Sequence, residues 1–400
     1  MNILFLTIAY PESADDSNLY TDLMQEFSIR NNNVFVVTSC ERKCKKKTSL
    51  NIENGINVLR VKTGNLQKTS RVEKGISTLL LEYLFKKAIY KYYKEIRFDL
   101  IIYSTPPVTF TKLIKFIKER DHAKAYLLLK DIFPQNAVDI GLMKKDSFIY
   151  RFFRNKEIEL YKNSDYIGCM SQSNLRYVLQ HNPYLFEEKI EVCPNSIYPN
   201  NIALDIKEKT FVRKKYGISN DTVVFIYGGN LGKPQGIPFL YDIIYTQRKN
   251  KNVFFIIAGS GTEYKYIENK IRSDKIENVI LLKQLLKKEY EELVQASDIG
   301  LIFLDKRFTI PNFPSRILSY MQYALPVIAA TDKSTDIGKI IEGGNFGYWC
   351  ESEDLNGFND IIDRILLNRN LIPSLGANSR RYLDENYTVR HSCDIILKHL

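Results

Sequence analysis

Short apolar runs alternate along the chain with longer stretches in which apolar side chains recur every three or four positions. The runs predict buried strands and the stretches predict helices. In the first half the strands are predicted at Asn2–Ile8, Asn33–Ser39, Ile56–Lys62, Asp99–Ser104, Ala125–Asp131, Tyr166–Ser171 and Lys189–Asn195. In the second half they are predicted at Thr222–Gly229, Asn252–Gly259, Asn278–Lys283, Asp298–Leu304, Pro326–Ala330 and Phe346–Cys350. Val/Ile-rich strands alternating with helices predict an α/β fold of parallel sheets covered on both faces. Residues 194–221, rich in Pro, Asn and charge, read as a linker between the two sets. Two doubly wound, Rossmann-like domains are therefore expected, 1–198 and 199–380, with a C-terminal helix near 381–400 packing back on the first. Such domains bind ligands at the carboxyl ends of their strands, here facing a shared inter-domain cleft.

Residues 312–332, NFPSRILSYMQYALPVIAATD, combine a turn, a short helix and a strand. Phe313 and Pro314 make the turn, Ile317, Leu318 and Met321 mark one helical face, and Pro326 ends the helix. Backbone N–H groups at a helix start have no partner inside the helix and favour anions, so the N–H groups within residues 313–315, those of Phe313 and Ser315, are candidate anion donors. A second amphipathic stretch lies at residues 76–97. There Leu80, Leu81, Leu84, Phe85, Ala88, Ile89 and Tyr92 form an apolar stripe, with Lys86, Lys87, Lys91 and Lys94 beside it. It is expected to pack on its own sheet, and its lysine edge suits an anionic membrane surface.

The 400 residues are 44% hydrophobic and 26% charged, ordinary for a globular protein. No apolar run reaches the roughly 18–20 residues of a membrane span. The amino terminus reads as a buried strand rather than a signal peptide, lacking a basic flank and a small-residue cleavage site. The six cysteines contain no C-x-x-C pair and the four histidines are dispersed, so a disulfide framework and a zinc site are not indicated. A cytoplasmic location follows from that cysteine usage. The net charge of +11 is uneven: residues 1–200 hold 30 Lys+Arg against 22 Asp+Glu, and residues 201–400 hold 27 against 24. The aromatic residues fall on apparent core faces rather than interleaving with cations, which argues against nucleic acid as a partner.

The second half carries three turns that each follow or precede a strand. YGGNLGKPQG places glycines at 228, 229, 232 and 236 with Lys233 among them, and IIAGSGTE adds Gly259 and Gly261. The 312–332 stretch adds Arg316, whose rigid fork matches two phosphate oxygens. Neither a P-loop nor a dinucleotide fingerprint is present. Together the turns favour a ligand containing a diphosphate.

These segments, with VILLKQLLKKEYEELVQASDIGLIFL in the second half and LLLKDIFPQNAVDIGLM, SDYIGCMSQSNLRYVLQHNP and KIEVCPNSI in the first, resemble family 4 of the retaining glycosyltransferases. They are similar to its bacterial subgroup of N-acetyl-L-fucosaminyl and colanic-acid-type transferases. The resemblance runs from Met1 to about Tyr387 and implies the GT-B fold. It implies a UDP-sugar donor, no cofactor and no metal, and transfer to a lipid-linked or saccharide acceptor in capsule or O-antigen synthesis. The work would be done at the inner face of the cell membrane. The donor site it implies comprises Gly229, Asn230, Lys233, Gln235, Gly259, Gly261, Gln284, Leu285, Phe313, Pro314, Ser315, Arg316 and Ser319. Asp131, with Lys130 where the family often has a histidine, is the expected catalytic group, and Ser17 and Asn18 replace a glycine pair that meets the acceptor. Asn tolerates the left-handed backbone such a turn uses. Two family glutamates fall on Pro311 and Ser319, and the usual Arg and Lys of the first glycine turn fall on Asn230 and Gln235. Those losses keep a non-catalytic, partner-dependent subunit as the rival reading. A nucleotide-sugar epimerase is disfavoured by the scarcity of histidines. Sugar identity is left open, and a homo-oligomer is compatible with the chain.

Overall fold

The computed structural model describes residues 1–12, 17–67, 69–201, 203–283 and 285–400. They form two compact units, Met1–Ile197 together with Val389–Leu400, and Tyr198–Thr388. The first is built on strands β1 (Asn2–Leu6), β2 (Asn33–Glu41), β3 (Ser49–Glu53), β4 (Ile56–Thr63), β5 (Leu100–Ser104), β6 (Lys124–Leu129), β7 (Tyr166–Cys169) and β8 (Ile190–Val192). Their order across the sheet is β3-β4-β2-β1-β5-β6-β7-β8. All pairs are parallel except β3 with β4. The central strands are apolar on both faces, with Ile101, Ile102 and Leu127 fully buried, because helices cover each side.

The edge strand β3 is absent from the sequence-based strand set. Its residues, SLNIE, expose Leu50 and Ile52 and bury none, so it lacks the apolar run that marks the others. The stretch read as a linker also contains a helix, Ile206–Lys215, opened by a capping box between Asp205 and Glu208. Only Val212 on that helix is buried, which is why a hydrophobic pattern does not reveal it.

The second unit has β9 (Val223–Asn230), β10 (Val253–Ser260), β11 (Val279–Leu282), β12 (Ile299–Phe303), β13 (Val327–Thr331) and β14 (Gly347–Glu351). They form one parallel sheet in the order β11-β10-β9-β12-β13-β14. Phe225, Ile257, Leu301 and Ile328 form its core with Phe239 and Ile362 from the covering helices.

The chain leaves the second unit later than residue 380. Helix Ile372–Asn386 stays there and packs on helix Arg316–Gln322. Only helix Val389–Leu397 joins the first unit, where Cys393 and Ile396 enter the core beside Leu23, Met24 and Phe27. Its end is held by His399, whose Nε2 lies 2.9 Å from Glu191 Oε1.

Helix Arg71–Tyr92 buries Leu81, Phe85, Ala88 and Ile89 against the first unit. Leu80, expected on that stripe, is 51% exposed because the inward arc is centred one residue further along. The outward face holds Val72, Ile76, Leu79, Leu80, Tyr83 and Tyr90, all exposed, so it is apolar as well as basic. Lys86 is folded over the Phe116 ring at 4.1 Å.

Candidate functional site

Each sheet has one place where successive connections diverge, between β1 and β5 in the first unit and between β9 and β12 in the second. Loops leaving the carboxyl ends of strands part there and leave room for a ligand. In the second unit this point collects Asn230 at the end of β9, Lys233 and Gln235 in the segment after it, and the segment after β12, with Phe313, Pro314, Ser315 and Arg316.

Arg316 is the most unusual group at that point. Its guanidinium carbon lies 4.5 Å from the centroid of the Tyr227 ring, and its Nη1 is buried with no hydrogen-bond partner. The groups that act on it most strongly are three tyrosines, Tyr227, Tyr320 and Tyr290, and the residue as a whole is partly exposed. Gly229 makes this possible. A Cβ there would come within 3.3 Å of the guanidinium, and its φ of +129° is one that side-chain-bearing residues rarely adopt. A guanidinium nitrogen shielded from water without a partner is costly, and an arriving anion removes the cost.

The other turn residues are arranged around it. Asn230 and Gln235, at the positions of the lost family cations, bond each other, with Asn230 Nδ2 donating to Gln235 Oε1 at 2.9 Å. Lys233 is exposed. Gly259 and Gly261 have a local explanation, since a Cβ on either would strike the backbone of Gly229 or Leu231. Their lack of a side chain lets the ends of β9 and β10 pack together. Phe313 is buried and packs on Tyr387 with ring centroids 5.9 Å apart. Ser315 is exposed, whereas Pro314, Ser319 and Leu285 are partly buried. Gln284 lies outside the described residues.

In the first unit, Lys130 and Asp131 follow β6, next to the point where connections diverge. Thr105, just past β5, fixes both: its Oγ1 accepts from the amides of Lys130 and Asp131, each at 3.0 Å, and donates to the Asp131 carbonyl at 2.9 Å. Asn136 Nδ2 donates to Asp131 Oδ1 at 3.2 Å. Burial pushes the Asp131 carboxyl up to about 6, against the pull of that hydrogen bond. Burial likewise brings the Lys130 ammonium down to about 8. Both groups can therefore change protonation near neutral pH.

Asn18 departs from the expected left-handed turn. Its backbone is extended, with φ −140°, and its Oδ1 caps helix Leu19–Ile29 by accepting from the amides of Tyr20 and Thr21 at 2.8 and 3.1 Å. That oxygen is committed to the helix start. Ser17 beside it is partly buried. Thr105, Asn136 and the three tyrosines were not singled out by sequence reasoning. Gly228 and Gly300, glycines inside strands, are the signal for two of them: a Cβ at Gly228 would collide with Tyr290 and one at Gly300 with Tyr320.

Residues 208–386 match the family described as glycosyl transferases group 1, a span contained in the second unit. The second unit is thus similar to a group 1 glycosyltransferase domain. The chain is 24% identical to the probable glycosyltransferase WbjE of Pseudomonas aeruginosa over 326 residues, 80% of this chain and 78% of WbjE. Among solved structures it superposes on sucrose-phosphate synthase of Thermosynechococcus elongatus with a TM-score of 0.75 and 13% identity, covering 99% of this chain and 97% of the other. Against Anabaena HepE, solved in complex with UDP-glucose, the TM-score is 0.72 at 17% identity, covering 100% and 99%. The fold of this chain is accordingly GT-B.

Proposed function

We propose that the transferase moves a sugar, with retention of configuration, from a UDP-sugar to a lipid-linked or saccharide acceptor during capsule or O-antigen assembly. The half-buried Arg316, whose Nη1 is shielded from water and has no hydrogen-bond partner, is the observation that carries this reading. Breaking the bond between the sugar and the diphosphate leaves negative charge on the nucleotide, and fixed donors stabilise that charge most. Arg316, with Lys233 in the turn after β9, supplies fixed positive charge without a metal. UDP is favoured as the nucleotide because HepE was solved with UDP-glucose. The acceptor hydroxyl attacks from the face the diphosphate leaves, and its proton passes to a phosphate oxygen. Asp131, held by Thr105 and Asn136, accepts a hydrogen bond from the acceptor and orients it. The resemblance to the N-acetyl-L-fucosaminyl subgroup favours an N-acetylated amino or deoxy sugar.

A membrane-bound acceptor fits the first unit. Among the described residues no helix is long and apolar enough to cross a bilayer. Helix Arg71–Tyr92 presents apolar side chains and lysines together, and Phe148, 86% exposed, stands with Ile149 near Lys144, Lys145 and Arg151. Apolar groups ringed by cations suit the interface of an anionic leaflet at the inner face of the cell membrane.

The reading is tested by a thermal-shift panel of nucleotides and nucleotide sugars, followed by product analysis with a lipid-diphosphate-sugar acceptor. Stabilisation by UDP or a UDP-sugar, and a product in which the sugar keeps its anomeric configuration, are expected. No shift with any nucleotide diphosphate at millimolar concentration would remove the donor assignment.

A further inference from the structure

Three tyrosines from three different elements converge on Arg316. Tyr227 lies in β9, Tyr290 in helix Lys287–Ala296 and Tyr320 in helix Arg316–Gln322. Tyr227 lies under the guanidinium and bonds it, while its hydroxyl donates to the Asn230 carbonyl at 2.7 Å. Tyr320, fully buried, hydrogen-bonds Tyr290 and reaches the carbonyls of Ile226 and Leu301 at 3.2 and 3.1 Å. The amide of Gly228 points at the same hydroxyl from 3.3 Å. Two glycines vacate the volume these rings fill, Gly228 for Tyr290 and Gly300 for Tyr320, and a third, Gly229, vacates the volume of the guanidinium itself.

A cluster built only to fill a core would use phenylalanine here, because each buried hydroxyl must find a partner. A cluster built to neutralise an arginine would use a carboxylate. Neutral phenols do neither. They offer oxygens and aromatic faces that hold a cation in place while leaving its charge uncompensated.

We propose that Tyr227, Tyr290 and Tyr320 are positioning residues that hold the Arg316 guanidinium beside Gly229 through neutral oxygens and a ring face, so that it stays available to the diphosphate of the donor. This rests on the assignment of the donor site to the second unit. Tyr290 is the member to test, because Tyr320 also serves the backbone of β9 and β12 and its loss would disturb the sheet.

The experiment is a double-mutant cycle read by calorimetric titration of the full chain with UDP. Wild type, Tyr290→Phe, Arg316→Lys and the double variant are compared, with the ligand-free melting temperature of each as a control. Tyr290→Phe is expected to weaken UDP binding about five-fold, the scale of one lost hydrogen bond. In the Arg316→Lys background the same change is expected to have no effect, because the planar group it positions is gone. Equal weakening in both backgrounds would make Tyr290 a general support of the fold and overturn the inference, as would an unchanged affinity in Tyr290→Phe. Failure of the wild type to bind UDP at all would overturn the donor assignment itself, and the inference with it.

Discussion

Gly229, Arg316 and Tyr227 show how much of a site three residues can hold. A guanidinium nitrogen kept from water with no hydrogen-bond partner is a stored cost in the free protein. Arg316→Met, which keeps the volume and removes the charge, is expected to raise the ligand-free melting temperature while weakening UDP binding by roughly 1.5–3 kcal/mol. Paired melting and titration measurements check both halves, and a variant that melts lower yet binds UDP normally would contradict the assignment. Asp131 gives the pH dependence. Its folded pKa, raised from 3.8 to about 6, means that between those values the folded chain holds a proton the unfolded chain has released. Stability from this group therefore falls as pH rises through that window. Asp131→Asn removes the fall, so the variant should melt increasingly above wild type from pH 4 to pH 7, and transfer activity of wild type should climb through pH 6 as the carboxylate forms. Arg316 was legible in the sequence because its residue type and loop position state its chemistry. The tyrosines were not, because a tyrosine in an apolar run looks like core, and only the glycines at 228 and 300 betray the space they require. Asn18 misled for the opposite reason: the same side chain that tolerates a left-handed turn is also a good helix cap.

At the scale of elements, the thirteen strands with apolar runs were readable and β3 was not, since an exposed edge strand has no face to bury. The amphipathic helix Arg71–Tyr92 was readable as a helix, but its outer face was not. Periodicity locates the buried arc to within a residue, and that residue decides whether Leu80 faces sheet or solvent. The consequence is testable with vesicles. Lys87, Lys91 and Lys94 are each worth about 1 kcal/mol near an anionic leaflet, while Lys86, folded over Phe116, contributes less. Replacing the four with Gln should release the protein from anionic vesicles at low salt, and Leu79→Asp with Leu80→Asp should do so at any salt. Sedimentation that ignores both changes would assign the membrane contact elsewhere. The helix Val389–Leu397 makes a separate prediction: because Cys393 and Ile396 lie in the core of the first unit, Ile396→Ala should cost about 2–5 kcal/mol, measured by denaturant unfolding.

For the whole molecule, two doubly wound units and a late return of the chain to the first were largely written in the alternation of strands and helices. The point of return at Val389 was not, because nothing in the composition of residues 381–400 separates the helix ending at Asn386 from the one beginning at Val389. The function rests on one geometric claim, that the donor's diphosphate meets Arg316 where β9 and β12 part. UDP at a hundred times its dissociation constant should stabilise the native state by about 2.7 kcal/mol. The most direct measurement is a crystal structure of the protein with UDP bound. It should show a phosphate oxygen within hydrogen-bonding distance of the Arg316 guanidinium, above Gly229. A complex in which UDP binds away from the second unit, or in which Arg316 keeps clear of both phosphates, would contradict the account.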